Sequence, residues 1–350
     1  MTGTAGPTVR AHSPGRVNLM GDHTDYNEGV ALPMAIDLGT DVTFIPDGGT
    51  RVVLRSAGEP ELADVDLYVP LDPDLLRAMR PPWSRFVAGM VAAVRPATGG
   101  TGSVESSLPI GAGLSSSAAL EVALALAFGF EGEPVTMART CQGVEEAATG
   151  VPSGLMDQLV VSGGVEGSAL LIDFSDLSTR AVRIPDGVEI VVVHSGLHRS
   201  LGRTAYAARR AECDAATHHF GPLGRAGPEA IMGLPDPVMR RRARHVITEC
   251  DRVRWFAEAL EGGDLTEAGR LMVASHRSLA GDFEVSTPEL DQLVVHLTSI
   301  PGVHGARMTG AGFGGCVVAL SEPGVIDLAA LTTPAWRVRA SAGARVVDRG

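Results

Sequence analysis

The chain has 350 residues, 45% of them hydrophobic, with a formal charge of -12 and an isoelectric point near 5.3. All 29 basic residues are arginine, and so acidic a surface argues against nucleic acid or an anionic membrane as a partner. The lack of lysine removes the Walker loop and the protein-kinase ATP site as well, since both place a lysine on the phosphates.

At this length two domains are expected, divided near residue 170 into 1–170 and 171–350. Cys141, Cys213, Cys250 and Cys316 are far apart and show no metal-ligand spacing, which suggests reduced thiols in a cytoplasmic protein. The N-terminus MTGTAGPTVRAHSP lacks a signal-peptide core, and no run approaches the roughly 20 apolar residues of a membrane helix.

Three glycine-containing segments, 13–37, 108–119 and 308–318, punctuate the chain. Between the first two, DVTFI (41–45) and RVVLRS (51–56) read as strands and PPWSRFVAGMVAAV (81–94) as a helix. Residues 169–173 and 188–194 are short apolar strand candidates, followed by arginine-rich helical patterns over 204–219 and 236–261. The Gly/Pro-rich stretch 220–237 between them should be loop with at most a short helical turn. The N-terminal half is mixed α/β.

PIGAGLSSSAA (109–119) runs into the helix-forming ALEVALALAF. A serine before an apolar run is an ordinary N-cap, but one cap uses one hydroxyl, and a Gly-rich loop opening a helix can hold phosphate on backbone N–H groups without a lysine. GAGFGGCV (310–317) fits the dinucleotide glycine pattern, yet CVVAL after it reads as a strand where that pattern needs a helix. A tight glycine turn remains, either plain or letting backbone come close to a ligand or another loop.

GRVNLMGDHTDY (15–26) gathers Arg16, Asp22, His23 and Asp25, which allows a surface turn, a polyol site or a metal site. In VPSGLMDQ (151–158), Asp157 is either a helix-capping residue or a catalytic carboxylate acting by position and charge. RRRAR (240–244) reads as a solvated helix face, and the adjacent His218 and His219 do not share a helix face.

Taken together these segments resemble galactokinases, a branch of the GHMP superfamily of small-molecule kinases. GRVNLMGDHTDYNEGVALPMAI is similar to the galactokinase signature, PIGAGLSSSAALEVA to the superfamily's ATP loop and RMTGAGFGGC to its third motif. PPWSRFVAG, GVPSGLMDQ, HSGLHRSLGRTAYAARR and SHRSLAGDFEVSTPELDQL match in order, so the likeness runs from about residue 13 to 320. The resemblance implies an N-terminal α/β domain with a left-handed βαβ unit and a C-terminal ferredoxin-like α+β domain, with ATP and sugar meeting between them.

It further implies transfer of the γ-phosphoryl of MgATP to the anomeric hydroxyl of galactose, by a protein expected to be monomeric. Arg16 and Asp157 fall on the catalytic pair, and Asp22, His23, Asp25, Gly154 and Tyr206 on sugar-contacting positions. Gly111, Ala112, Gly113, Leu114, Ser115, Ser116 and Ser117 would wrap the phosphates, and Trp83 lies in a segment bordering the base. Ser117 and Glu145 fall where the family holds Mg2+. Most galactokinases have glutamate where this chain has Asp22, so a kinase of N-acetylgalactosamine, arabinose or a deoxy sugar is the rival expectation. A non-catalytic sugar sensor fits less well, because the SSSAA run is complete and Arg16 and Asp157 are present.

Overall fold

The computed structural model describes residues 6–109, 111–197 and 202–349. Strand β1 (Val9–Met20) turns back as β2 (Val30–Pro46), and this antiparallel pair is the spine of the first sheet. After β3 (Arg51–Ser56) and β4 (Ala63–Asp66), helices α1 (Pro73–Ala78) and α2 (Ser84–Val94) lead to β5 (Gly100–Ser106). β5 lies parallel to β3, the one parallel pair among the described residues, and the long crossover through α1 and α2 makes that possible.

Helices α3 (Ser116–Ala127), α4 (Pro134–Thr149) and α5 (Met156–Gly163) follow, with α3 and α5 lying on β1 and β2 and α4 packed over both. Alanine and leucine give α3 high intrinsic propensity, and it is apolar on almost every face because sheet and helices surround it. The hairpin β6 (Ser168–Asp173) and β7 (Ser178–Arg183) attaches to the start of β2.

The second sheet begins at β8 (Glu189–His194). Helices α6 (Gly202–Phe220), α7 (Glu229–Gly233), α8 (Pro237–Gly262), α9 (Leu265–Gly281) and α10 (Pro288–Thr298) precede β9 (Val303–Thr309), β10 (Cys316–Ser321) and β11 (Ala335–Val338). Helix α8 has complete end signals: Asp236 accepts from the N–H groups of Val238 and Met239, Pro237 takes the first position, and Gly263 ends it at φ 71°. The strand order β11-β8-β10-β9, antiparallel throughout, is that of a ferredoxin-like split βαβ. Its second helix is reduced to a 3-10 turn, Leu328–Ala330.

The expected division at residue 170 falls inside β6, whose partner β7 stays with the first sheet, and β12 (Arg345–Arg349) returns from the far end of the chain to pair with β1. A continuous core also joins the halves: Leu19 and Met34 of the first sheet pack in one cluster with Phe256 and Leu271 of α8 and α9 and with Val192 and Val318 of the second sheet.

Within the run 240–244, Arg244 is exposed as expected of a solvated face, but Arg242 is not. Arg242 is 1% exposed, donating to Glu212 and Glu284 at 2.6 Å each and to the Asp282 carbonyl at 2.6 Å. Two carboxylates from distant elements converge on it, which makes the burial tolerable. No helix among the described residues is long and apolar enough to cross a membrane.

Candidate active site

A cavity of about 650 Å³ opens where the end of β1, the 109–117 loop, the start of α5, Tyr206 of α6 and the 310–312 turn come together. Its centre is built from β1. Gly15 has no room for a side chain, since a Cβ there would stand 2.7 Å from the Leu114 carbonyl oxygen. That close approach lets the Arg16 N–H bond to the same carbonyl at 3.2 Å, which docks strand on loop. Arg16 then reaches across to α5: Nε and Nη2 donate to the two oxygens of Asp157 at 2.7 and 2.6 Å, and Nη1 to the Gly113 carbonyl at 2.5 Å. Such a two-bonded fork fixes both groups in one plane.

The three serines of the loop divide their work. Ser115 takes the N-terminal position of α3 in the left-handed region, φ 59°, and its hydroxyl caps nothing; it donates to Asp157 Oδ2. A non-glycine residue held there costs on the order of 1 kcal/mol or more, a strain commonly stored at functional sites. With the capping bond unmade, the first N–H groups of α3 are left for an anion. Ser117 donates to Glu145 Oε1 at 2.6 Å, and Ser116 lines the cavity. Ala112 and Leu114 turn their side chains into the core, so within the loop they can offer a ligand only backbone. The Cys316 thiol, opening β10, donates to the Ala112 carbonyl at 3.1 Å and ties the loop to the third glycine segment.

The turn between β1 and β2 supplies the other wall. Gly154 is pressed against Asp25, whose Oδ2 would lie 1.5 Å from any Cβ at that position. Burial, and then the charge of Asp157, raise Asp25 to about 6. His23 has φ 65°; its Nδ1 is 2.8 Å from the Tyr26 hydroxyl, and its ring centroid lies 5.7 Å from that of Tyr206 and 4.5 Å from that of Phe283. Burial, with His245 adding repulsion, lowers His23 to about 3, so it is a neutral hydrogen-bonding and packing group.

Asp22 also reaches the cavity wall, but its carboxylate is heavily engaged. Arg307 Nη2 donates to Oδ2 at 2.5 Å and the Gly310 N–H to Oδ1 at 2.9 Å. A carboxylate has about four acceptor positions, so capacity for two further hydrogen bonds remains.

Trp83 stands apart from all of this. It is buried in the core of the first sheet, its indole N–H bonded to the Glu61 carbonyl at 3.1 Å, and it does not line the cavity. Sequence alone does not single out Tyr26, which packs edge-on against Tyr206, nor Arg307, Gln158 and Glu121, whose polar partners come from other elements. The 310–312 turn of the third glycine segment lines the cavity.

A divalent cation fits one corner. Ser117 and Glu145 place a hydroxyl and a carboxylate side by side at the head of α3. No group of three or more His, Cys, Asp and Glu residues suited to a metal occurs among the described residues. One carboxylate and one hydroxyl are the hard-oxygen set of a Mg2+ that arrives on substrate phosphates and keeps much of its water.

A left-handed serine over an open helix N-terminus, facing an Arg–Asp pair between a mixed sheet and a split βαβ unit, defines a GHMP-type small-molecule kinase. Family models agree: residues 85–164 match the GHMP kinases N terminal domain, 256–330 the GHMP kinases C terminal model and 2–45 the galactokinase galactose-binding signature. The human galactokinase is 41% identical over 332 residues, covering 91% of this chain and 85% of that one, and the Roseiflexus sp. enzyme 42% over 342 residues, covering 92% and 85%. The crystal structure of Lactococcus lactis galactokinase complexed with galactose superposes with a TM-score of 0.88 at 28% identity, covering 97% of this chain and 95% of that one. The chain belongs to the galactokinase family. Methanococcus jannaschii mevalonate kinase, at TM-score 0.70 and 19% identity, shares the fold.

Proposed function

We propose that the protein transfers the γ-phosphoryl group of ATP to the anomeric hydroxyl of galactose, giving α-galactose 1-phosphate and ADP. The observation that carries this reading is the Arg16–Asp157 fork at the mouth of the serine loop, inside the same cavity as Asp25 and Gly154. It is supported by the galactokinases similar to this chain and by the likeness to a galactokinase solved with galactose.

Asp25, His23 and Tyr206 hold the sugar, and the backbone at Gly154 lets Asp25 lie flat against its wall. Backbone N–H groups at the start of α3 and of the loop take phosphate oxygens. Asp157 accepts a hydrogen bond from the anomeric hydroxyl; as the sugar oxygen bonds to phosphorus and the bridge to ADP breaks, the proton passes to that carboxylate. Arg16 and Ser115 keep Asp157 in one orientation, and the guanidinium, anchored on Gly113, sets a positive charge beside the transferring group. Ser117 and Glu145 would hold Mg2+, which neutralises phosphate charge when bound. Positioning and charge stabilisation suffice for phosphoryl transfer without lysine.

The rival reading, a kinase of another sugar, rests on Asp22, whose short carboxylate is drawn to Arg307. We also propose that the first domain extends through β7 to about residue 184 and recovers β12, and that the protein is cytoplasmic, as four buried cysteines outside any disulfide favour. Phosphorus NMR of the product tests the reaction. A single α-anomeric sugar phosphate formed from galactose and ATP by the wild type, and none by Asp157→Asn, is the expected result; a phosphate at another carbon would overturn the assignment.

A further inference from the structure

Behind the proposed cation corner lies a second polar layer that no substrate reaches. Gln158 follows Asp157 on α5 and is fully buried. Its amide nitrogen donates to Glu145 Oε2 at 2.6 Å and stands 3.5 Å from Oε2 of Glu121, a fully buried residue of α3. The other oxygen of Glu145 takes the Ser117 hydroxyl. Glu145, projecting from α4, is therefore held at both oxygens, by α5 on one side and α3 on the other.

The arrangement is a poor one for stability alone. Gln158 Oε1 and Glu121 Oε1 are both buried without a hydrogen-bond partner, and each such group costs desolvation free energy that an apolar residue would avoid. A glutamate side chain has three free torsions, and one bond from Ser117 would leave its carboxylate able to swing. With Oε2 pinned by Gln158, Oε1 stays beside the Ser117 hydroxyl.

We infer that Gln158 is a positioning residue for the divalent cation, fixing Glu145 so that its carboxylate and the Ser117 hydroxyl face the cation together. The inference rests on the proposed roles of Ser117 and Glu145. Partners in the outer shell of a metal site typically affect affinity by about 10- to 100-fold.

The test is a titration of Mn2+ into the protein with ADP, followed by electron paramagnetic resonance, with galactose binding measured separately by calorimetry. Gln158→Met keeps the volume and removes the donor, and Gln158→Leu serves if that variant folds poorly. The expected result is a Kd for Mn2+ weakened about tenfold with galactose affinity unchanged within about twofold, and no further loss when the change is made in a Glu145→Gln background. Unchanged Mn2+ affinity, an equal loss of galactose binding, or additive losses in the double variant would overturn the inference. If Glu145→Gln itself binds Mn2+ normally, the cation role of Glu145 fails first and the inference goes with it. A weakened Glu145→Gln beside a normal Gln158→Met overturns only the role of Gln158.

Discussion

Arg16 and Asp157 lie 141 residues apart in sequence and meet through two hydrogen bonds of 2.7 and 2.6 Å, one from each of two guanidinium nitrogens. The arginine comes from a strand buried on both faces and the aspartate from the first turn of a helix packed on that strand. Their geometry is thus set by the core and not by a loop. The third guanidinium contact, to the Gly113 carbonyl, ties the pair to the phosphate loop.

Replacing Asp157 by Ala should lower turnover by roughly a thousandfold or more while leaving nucleotide affinity nearly intact, because the carboxylate acts at the transferring group. Arg16→Lys should lose about a hundredfold, since an ammonium cannot reproduce the fork. Steady-state rates beside fluorescent-nucleotide titrations check both; near-normal turnover in Asp157→Ala would remove its assigned role.

Gly154→Ala should weaken galactose binding by at least about tenfold and leave the ATP constant alone, because the added methyl would overlap Asp25 Oδ2. Calorimetry with the sugar reads this directly. Unaltered affinity would mean that Asp25 can move away without cost to the sugar.

Asp25 is raised to about 6 by burial and by Asp157, so it gains its charge only as the pH climbs through that value. Galactose affinity should therefore rise between pH 5 and pH 7 with an inflection near 6, and Asp25→Asn should flatten the curve. An inflection that persists in the variant would assign the titration to another group.

His23 behaves in the opposite sense for stability. Lowered from 6.5 to about 3, it stays neutral in the folded protein while the unfolded chain takes up a proton below 6.5. Stability should fall as pH drops below that value, by on the order of 1 kcal/mol at pH 5.5 from this residue alone. His245 and His276, lowered chiefly by burial, act in the same direction, whereas Asp25 opposes them between about 4 and 6. Urea unfolding at pH 7 and 5.5 checks the sign, and removal of His23 by His23→Asn should reduce the difference.

Much of the site was legible before any coordinates, because motif residues carry their chemistry in their identity. The glycine-serine loop, Arg16, Asp25 and Asp157 line one cavity, as the family resemblance implied, whereas their spacing alone left a surface turn, a polyol site or a metal site open. What stayed hidden depends on encounters between distant segments. Arg242 reads as one charge among five until Glu212 and Glu284 close on it. In helix α9 the polar Ser275, His276 and Ser278 are buried beside its apolar residues, because Ser275 meets Glu249 and Ser278 meets His245. Trp83 occupies a suggestive place in the chain but is spent on the core. Strand β12 is short and largely exposed, so only its pairing with β1 identifies it.

Asp22 separates stability from specificity. Asp22→Asn removes the nearer of the two carboxylates facing the fully buried Arg307, leaving Glu249 at 3.7 Å, and should destabilise the fold by about 2 kcal/mol, measured by denaturant unfolding. Asp22→Glu keeps the charge, extends it by a methylene and should alter sugar preference more than the ATP constant. An unchanged sugar profile would reduce this position to a structural link between the β1–β2 turn and the glycine turn at 310.

Which sugar the protein phosphorylates is read from ADP release with MgATP across a panel that includes galactose, N-acetylgalactosamine, arabinose and deoxy sugars. Galactose should be the best substrate by about tenfold or more in kcat/KM, which amounts to roughly 1.4 kcal/mol of discrimination. A different sugar at the head of the panel, or galactose preference restored only in Asp22→Glu, would contradict it.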